Sequence, residues 1–507
     1  MTLPLFSIRG PSSWGVGSIG DLPRFARWAA RAGYSILQLL PVNQANAADR
    51  SPYAAASAFA LDPVYLDPDD CEDFLAAGGR EALGDDLRRR LDGLGSTPHV
   101  DWGAVSDGKS RVIALGFERF LREEWSKKSA RAGQLTAFIN GHRAWLDDYA
   151  LFAVLHERFG KGWLEWPKRL RERERSALGA ARAEHREAIL RAQWVQWQLD
   201  LQWHRARREA SALGVELMGD LPFVPGLDSA DVWTDRDLFR VDLRVGAPPD
   251  EASPEGQDWG LPAYDWEALE RTDFAWIKGR SMRAGDLYSS YRVDHALGFY
   301  RTFVRSVDGE TRGFSPPDEA AQIPLGERIM RVMNRWGEAV AEDLGAVPPF
   351  LRPSLEKIGI PGYRVLRWEK DGDQFRDPAT WPETSVATNA THDTDTTAEW
   401  YDRLTREERE ALRQVPTLER LDPEQPFDEA TRDLLLRAIY QAPSTIALVP
   451  FQDALGLRER INTPGTVGAG NWTYRTGRTI DELLADTATL ERLAGLAADT
   501  GRAPPGR

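Results

Sequence analysis

Seven short apolar runs, most ending in a polar or acidic cluster, constrain this chain more than any other feature. They are Ile36–Val42, Val215–Phe223, Tyr291–His295, Glu338–Leu344, Tyr363–Trp368, Ser385–Asp393 and Thr445–Asp453. Runs that are apolar throughout, rather than alternating, fit strands covered on both faces, as in a parallel sheet. Helical patterns lie between them: Leu22–Ala32 before a stop at Gly33, Arg328–Trp336, Thr405–Gln414, and Asp428–Tyr440 with Asp428 placed to cap. This alternation predicts an α/β fold, either a barrel or a doubly wound sheet. In a barrel, functional side chains sit at the C-terminal ends of the strands. Here those ends carry Asp220, Asp294, Glu342, Asp393 and Asp453.

Two stretches interrupt the alternation. Residues 68–210 are charged and mostly helical in pattern, and end in Trp194, Trp197 and Leu201, spaced as one buried stripe. Residues 224–285 are rich in Pro, Gly and Asp and predict a loop-rich substrate-binding subdomain. The last residues, 502–507, predict a disordered tail. Residues 1–507 are therefore expected to form a single barrel carrying insertions, since barrels with insertions can exceed about 400 residues.

Composition narrows the function. With 64 basic and 78 acidic residues, the formal charge is −14, and no basic tract is present. That argues against nucleic acid and against an anionic membrane surface. No apolar window is long enough to span a bilayer, and the first residues do not read as a secretory signal. Cys71 is the lone cysteine, and no Cys or His pair has structural-zinc spacing, so no metal is expected. These features predict a cytoplasmic protein. The 19 tryptophans suit sugar rings as well as ordinary cores, and composition alone favours the core.

A G-x-G-x-x-G pattern at Gly15–Gly20 precedes a helix, but Asp21 would set an anion against a pyrophosphate there. A loop capped by Asp21 is the better reading. In Arg292-Val293-Asp294-His295, Arg and Asp fall two apart on a strand and so share a face. The guanidinium keeps the carboxylate ionised, as a nucleophile requires; a structural ion pair fits equally. Glu342-Asp343 pairs two acids, where like charge and burial can keep one protonated as a general acid; two solvated acids before a turn are the alternative. His392-Asp393 offers hydrogen bonds to substrate hydroxyls. Three carboxylates on neighbouring strand ends match glycoside chemistry, in which a closely spaced pair supports a covalent retaining mechanism.

The motifs GVGSIGDL, SPYAAASAFALDP (51–63), GDLPFVPGLDSADVW (219–233), GAPPDEASPEGQDWGLPAYDW (246–266), YRVDHALGF (291–299), AEDLG, THDTDT, FQDALGL (451–457) and NTPG (462–465) occur in order. Together they resemble the 4-α-glucanotransferases of the amylomaltase, or disproportionating enzyme, family, relatives of the α-amylases. The resemblance implies a (β/α)8 barrel with large helical and loop insertions, no organic cofactor, and maltooligosaccharides and α-1,4-glucans as partners. It leaves monomer or homodimer undetermined. It implies Asp294 as the nucleophile, Glu342 as the acid and base, and Asp393 as the group gripping hydroxyls of the distorted sugar. Arg292, His295 and His392 would orient the nucleophile and that sugar, and Tyr53 would stack on it. Asp220, Asp250, Gln257, Trp259, Asp343 and Asn462 would line further subsites.

The chain departs from the family pattern around the acceptor site. Glu251 and Ala252 stand where two aromatic residues are usual, Ala296 and Leu297 where Phe and Arg are usual, Leu61-Asp62 for Gly-Asn, and Thr394 for Asn. An α-1,4-glucan hydrolase using the same three acids is therefore one alternative. A weakly active glucan-binding protein is another, against which the intact Arg292, Asp294, Glu342 and Asp393 argue.

Overall fold

The structure, a computed structural model, describes all residues except 12, 47–49, 250–253, 467, 469 and 504–507. The expected apolar runs supply seven of its strands. In chain order the strands are β1 (Ile36–Gln38), β2 (Glu216–Leu221), β3 (Phe239–Ala247), β4 (Gln257–Tyr264), β5 (Ser290–Val293), β6 (Thr302–Ser306), β7 (Arg312–Ser315), β8 (Glu338–Ala341), β9 (Gly362–Val365), β10 (Lys370–Asp371), β11 (Gln374–Phe375), β12 (Ser385–Thr388) and β13 (Ile446–Ala447). A parallel sheet runs β1-β2-β5-β8-β9-β12-β13.

Residues 1–3 join its two edges. Thr2 bridges in parallel to both Gln38 and Pro450, with Thr2 N–H donating to Val449 (2.9 Å) and Leu3 N–H to Gln38 (3.0 Å). The curled sheet is thereby closed into a (β/α)8 barrel. Met218, Val340, Tyr363, Val386 and Leu448, from in and around five strands, pack together as a small buried cluster. Closure leaves no free edge in the sheet and aims all C-terminal strand ends at one rim.

Local chemistry explains the element boundaries. Gly33 takes a left-handed φ of 87° just after helix Leu22–Arg31, so the chain turns there without a Cβ clash. Asp428 accepts from Thr431 N–H at 2.8 Å, capping helix Glu429–Gln441 as expected. The helix expected from Arg328 begins earlier, at Glu319, and ends at Met333. In the Gly15–Gly20 segment, Asp21 turns back onto Ser18, accepting from its N–H and its hydroxyl, rather than capping the following helix. A Cβ on Gly17 would fall 2.0 Å from the Leu5 carbonyl, so this glycine serves backbone packing.

Three expectations need adjustment. Residues 224–285 are not mainly loop. They contain β3 and β4, which join β6 and β7 in an antiparallel sheet ordered β4-β3-β6-β7, and the helices Trp266–Arg271 and Ala275–Leu287. Pro262 obscured β4 in the sequence, but β4 is an edge strand, where proline is tolerated. In helix Arg186–Ala212, Trp194 and Trp197 are buried as expected, whereas Leu201 is exposed and Trp203 is buried instead. This helix is packed on more than one side, against helices Leu22–Arg31 and Arg143–Phe159, so a single stripe does not describe it. At the C-terminus, Arg502 at the start of the expected tail donates from Nε to the Tyr440 carbonyl at 2.9 Å, while residues 504–507 of that tail lie outside the described residues.

Candidate functional site

The rim of the barrel gathers most of the acids singled out above. Asp220 and Arg292 are register partners on β2 and β5. Asp294 and Glu342 each follow the last paired residues of β5 and β8, Val293 and Ala341, so they project from the same level of adjacent strands. The strand ends are tied together: Asp294 N–H donates to Leu221, and Glu342 N–H donates to Val293, each at 3.0 Å.

Arg292 is the hub. Its Nη1 donates to both carboxylate oxygens of the buried Asp220, at 2.8 and 3.0 Å. Its Nη2 lies 2.8 Å from Asp294 and 3.9 Å from Glu342. One buried guanidinium thus serves three carboxylates. Tyr53 completes the base of this group, donating its hydroxyl to Asp220 at 2.7 Å.

His295 adopts φ 46°, ψ 52°, a left-handed conformation uncommon for a residue with a side chain. That turn aims its N–H at Glu342 Oε2 (2.8 Å), while Ala296 N–H donates to the Glu342 carbonyl (3.0 Å). Burial, with the Asp294 charge nearby, raises the Glu342 carboxyl to about 7, against the pull of Arg292 and the His295 N–H. Burial also lowers the His295 imidazole to about 4, leaving it neutral near pH 7. Its ring meets Phe223 and Trp259 edge-on, at 5.4 and 5.0 Å between centroids. Trp259 in turn donates to Gln257 at 3.0 Å, so both β4 residues reach the site.

Asp393 approaches from the loop after β12. Asn462 donates to it at 2.7 Å, and His392 Nε2 lies 3.2 Å away. Burial opposes its ionisation, yet His392 and Asn462 outweigh burial and hold it below the usual carboxylate range. His392 stacks on Tyr53 at 5.1 Å and 10°, which links this loop to the Arg292 group. The sequence reading missed Trp472, whose ring lies 5.8 Å from Tyr53 and 6.1 Å from His392. It also missed Arg460, which donates to the Asp393 carbonyl at 3.3 Å and pairs with Asp395. The segment Gly470-Asn471-Trp472 was the available signal, but an isolated Trp in an irregular loop has no periodicity to mark it.

Two acids do not join this group. Asp343 is fully buried, accepting from Tyr363 N–H (2.6 Å), Arg352 (3.1 Å) and Arg364 (3.2 Å). It follows Glu342 directly and points the other way, under Gly362, where a Cβ would strike its carboxylate at 2.6 Å. It is not placed to line a subsite. Asp453 lies in helix Phe451–Leu455 and accepts from Thr397 N–H and hydroxyl, at 2.8 and 2.7 Å, so it anchors the start of helix Thr397–Arg403. Asp250, with the neighbouring Glu251 and Ala252, lies outside the described residues.

Among the described residues, one trio has metal-ligand geometry: Asp200, His204 and Asp286. Arg283 already pairs with both of its carboxylates, at 2.9 and 2.6 Å, and supplies them with positive charge. No helix among the described residues is long and apolar enough to cross a membrane.

The rim therefore offers an ionisable carboxylate beside a guanidinium, a second carboxyl poised to exchange a proton near neutrality, and a third set among hydroxyl-binding partners. A 4-alpha-glucanotransferase family model matches residues 3–479. The chain belongs to this family. A 4-alpha-glucanotransferase of Chlamydia pneumoniae is 32% identical over 95% of this chain and 91% of its own length. One from Aquifex aeolicus is 31% identical over 92% and 93%. The fold superposes on amylomaltase from Streptococcus agalactiae, solved with acarbose, with a TM-score of 0.84 at 24% identity over 99% of both chains. The protein is accordingly a glucan-transferring enzyme of the 4-α-glucanotransferase type, a transferase rather than the hydrolase that the altered acceptor segments left open.

Proposed function

We propose that the transfer is a retaining double displacement with Asp294 as nucleophile and Glu342 as the acid and base. Maltooligosaccharides and longer α-1,4-glucans are the substrates in this reading. Asp294 attacks the anomeric carbon of the donor while Glu342 gives its proton to the glycosidic oxygen; the bond breaks and the leaving chain departs with a free 4-hydroxyl. A glycosyl ester on Asp294 remains. An acceptor 4-hydroxyl then attacks the same carbon, loses its proton to Glu342 and frees Asp294.

The observation that carries this reading is the single Arg292 Nη2 within 2.8 Å of Asp294 and 3.9 Å of Glu342. Two carboxylates reached by one guanidinium nitrogen are near neighbours, as the nucleophile and acid of a retaining pair must be. Esterifying Asp294 removes a charge that helps keep Glu342 protonated, which favours the proton release that precedes its turn as base. Asp393, held ionised, is suited to accept hydrogen bonds from hydroxyls of the bound sugar. Half-exposed Trp259, set on His295, supports an aromatic wall beside the reaction centre. A cytoplasmic setting belongs to the same proposal and is supported by the lone, buried Cys71 thiol.

Purified protein incubated with maltotriose should yield glucose together with a ladder of longer oligosaccharides. Glucose and maltose without longer products would overturn the acceptor half of the scheme and direct attention to Glu251 and Ala252. Asp294→Asn should lower turnover by about three orders of magnitude or more; unchanged turnover would remove Asp294 from the nucleophile's role.

A further inference from the structure

A large cavity lies away from the acidic rim. It has a volume of about 1010 Å³ and lies among helix Arg143–Phe159, the 230–238 segment and helix Ala275–Leu287. Its lining shares no residue with the Arg292 group. At the upper end of the ~300–1,000 Å³ usual for small-molecule sites, it has room for more than one sugar ring.

Its walls have a definite chemistry. Phe59 and Trp145 lie nearly parallel (14°) with centroids 6.1 Å apart, and Trp276 meets Phe59 edge-on at 6.1 Å. Phe59 and Trp145 are only partly buried, and Met282 beside them is 50% exposed, so this aromatic wall is open rather than sealed core. Around it stand charges of both signs with carboxylates in excess: Asp148 pairs with Arg173 at 2.9 Å and Arg283 with Asp286 at 2.6 Å, and Asp231, Asp235 and Asp237 add further acceptors. Such walls repel an anion, and their carboxylates can accept hydrogen bonds from hydroxyl groups. Aromatic faces ringed by hydrogen-bonding groups suit a neutral ligand with apolar ring faces and a rim of hydroxyls.

We propose that this cavity is a second α-glucan-binding site, holding an oligosaccharide segment away from the cleavage centre. The proposal rests on the glucan specificity argued above. The two sites share one stretch of chain: Tyr53 stands in the rim, and Ser57 and Phe59 line the cavity. Asp231 and Ala230 pin that stretch in place, Asp231 accepting from Ala58 N–H at 2.8 Å and Ala230 N–H donating to Ala56 at 2.9 Å. A long glucan held in the cavity stays at high local concentration near the rim, the advantage that a second, linked binding event confers.

Calorimetric titration of the full-length Asp294→Asn protein with maltoheptaose tests this, since slow turnover keeps the ligand intact. Two sites per chain are expected. Adding Trp145→Ala, or Met282→Arg to fill the cavity from an exposed position, should leave one site or weaken the second at least tenfold. In the otherwise native enzyme, Trp145→Ala should leave maltotriose turnover within twofold while raising the apparent KM for long amylose about fivefold. A single site at the outset, or two sites that persist in both cavity variants, would overturn the proposal. Failure of the parent enzyme to disproportionate maltotriose would instead break the catalytic reading, and the site count is obtained independently of it.

Discussion

Glu342 and Asp343 are adjacent in sequence and enter two different buried clusters, and the contrast between the clusters separates chemistry from architecture. Around Asp343 the charges balance. Two guanidinium groups, Arg352 and Arg364, meet Asp343 and Glu369, and Asp343 also accepts a backbone N–H. Around Glu342 they do not: Arg292 alone faces Asp220, Asp294 and Glu342. Like-charged carboxylates sharing one countercharge in a poorly hydrated place favour retention of a proton, and Glu342 is where it is held. An acid whose hydrogen bonds and charge are both satisfied stabilises a fold. One left short of positive charge is available to react.

The contrast is tested most severely by removing the proton. Glu342→Gln should lower turnover on maltooligosaccharides by about 10²–10⁴-fold, the usual contribution of general acid–base catalysis. With a glycosyl fluoride donor, whose leaving group needs no protonation, the first displacement should recover much of that loss. The native enzyme should lose activity as pH rises through about 7, where Glu342 deprotonates, and Glu342→Gln should lack this alkaline limb. An alkaline limb that persists in Glu342→Gln would assign the proton to another group.

Asp343→Asn probes the balanced cluster and should show the opposite pattern. It keeps the shape under Gly362 but leaves Arg352 and Arg364 short of a partner. Breaking a buried pair costs about 3–5 kcal/mol, and the partial exposure of Arg352 puts this one at the lower end. Urea unfolding should report that loss, while kcat per folded molecule stays within about twofold. A large fall in kcat without loss of stability would return Asp343 to the substrate site.

The same contrast explains what was legible in the sequence. The seven barrel strands were visible because each is an apolar run, Asp294 and Glu342 because they directly follow β5 and β8, and Arg292 because it lies within β5 two residues before Asp294. Residues 1–3 close the barrel with bridges too short to leave any periodic pattern. A run does not reveal where its strand stops: β13 ends at Ala447, so Asp453 is already inside a helix and serves as an anchor. Nor does it reveal which of two adjacent acids faces the rim, since that depends on register with β5 and on the space above Gly362. Trp472 and Arg460 reach the site from irregular segments, which carry no period at all.

A smaller effect concerns stability. The Glu342 carboxyl has its folded-state value raised from 4.5 to about 7, so the folded chain binds its proton more tightly than the unfolded chain does. Relative to low pH, stability is retained below about 4.5, falls as pH rises toward 7, and is lowered by a constant amount above that. Removing the titration with Glu342→Gln should therefore raise unfolding stability above pH 7 by up to about 3 kcal/mol, with no gain near pH 4. A gain that is equal at both pH values would indicate a packing effect instead.

The smallest expected change lies at Asp393, which is unlike both clusters: its side chain is 44% exposed, and its carboxylate is held by an amide and a histidine rather than by a guanidinium. Asn462→Ala removes the 2.7 Å hydrogen bond. Water can replace part of it at so open a site, so the loss should be near the low end of the 0.5–1.5 kcal/mol typical of one hydrogen bond. The sign of the pH dependence is opposite to that of Glu342. A depressed carboxylate contributes stability above its ordinary value, and that contribution fades as pH falls through its folded value. The destabilisation by Asn462→Ala should therefore be seen at pH 7 and shrink below about pH 4. If Asp393 grips sugar hydroxyls, its looser orientation should also raise KM for maltotriose about two- to fivefold with little change in the alkaline limb set by Glu342. An altered alkaline limb with KM unchanged would place Asn462 in the service of the proton-transferring pair rather than of the sugar.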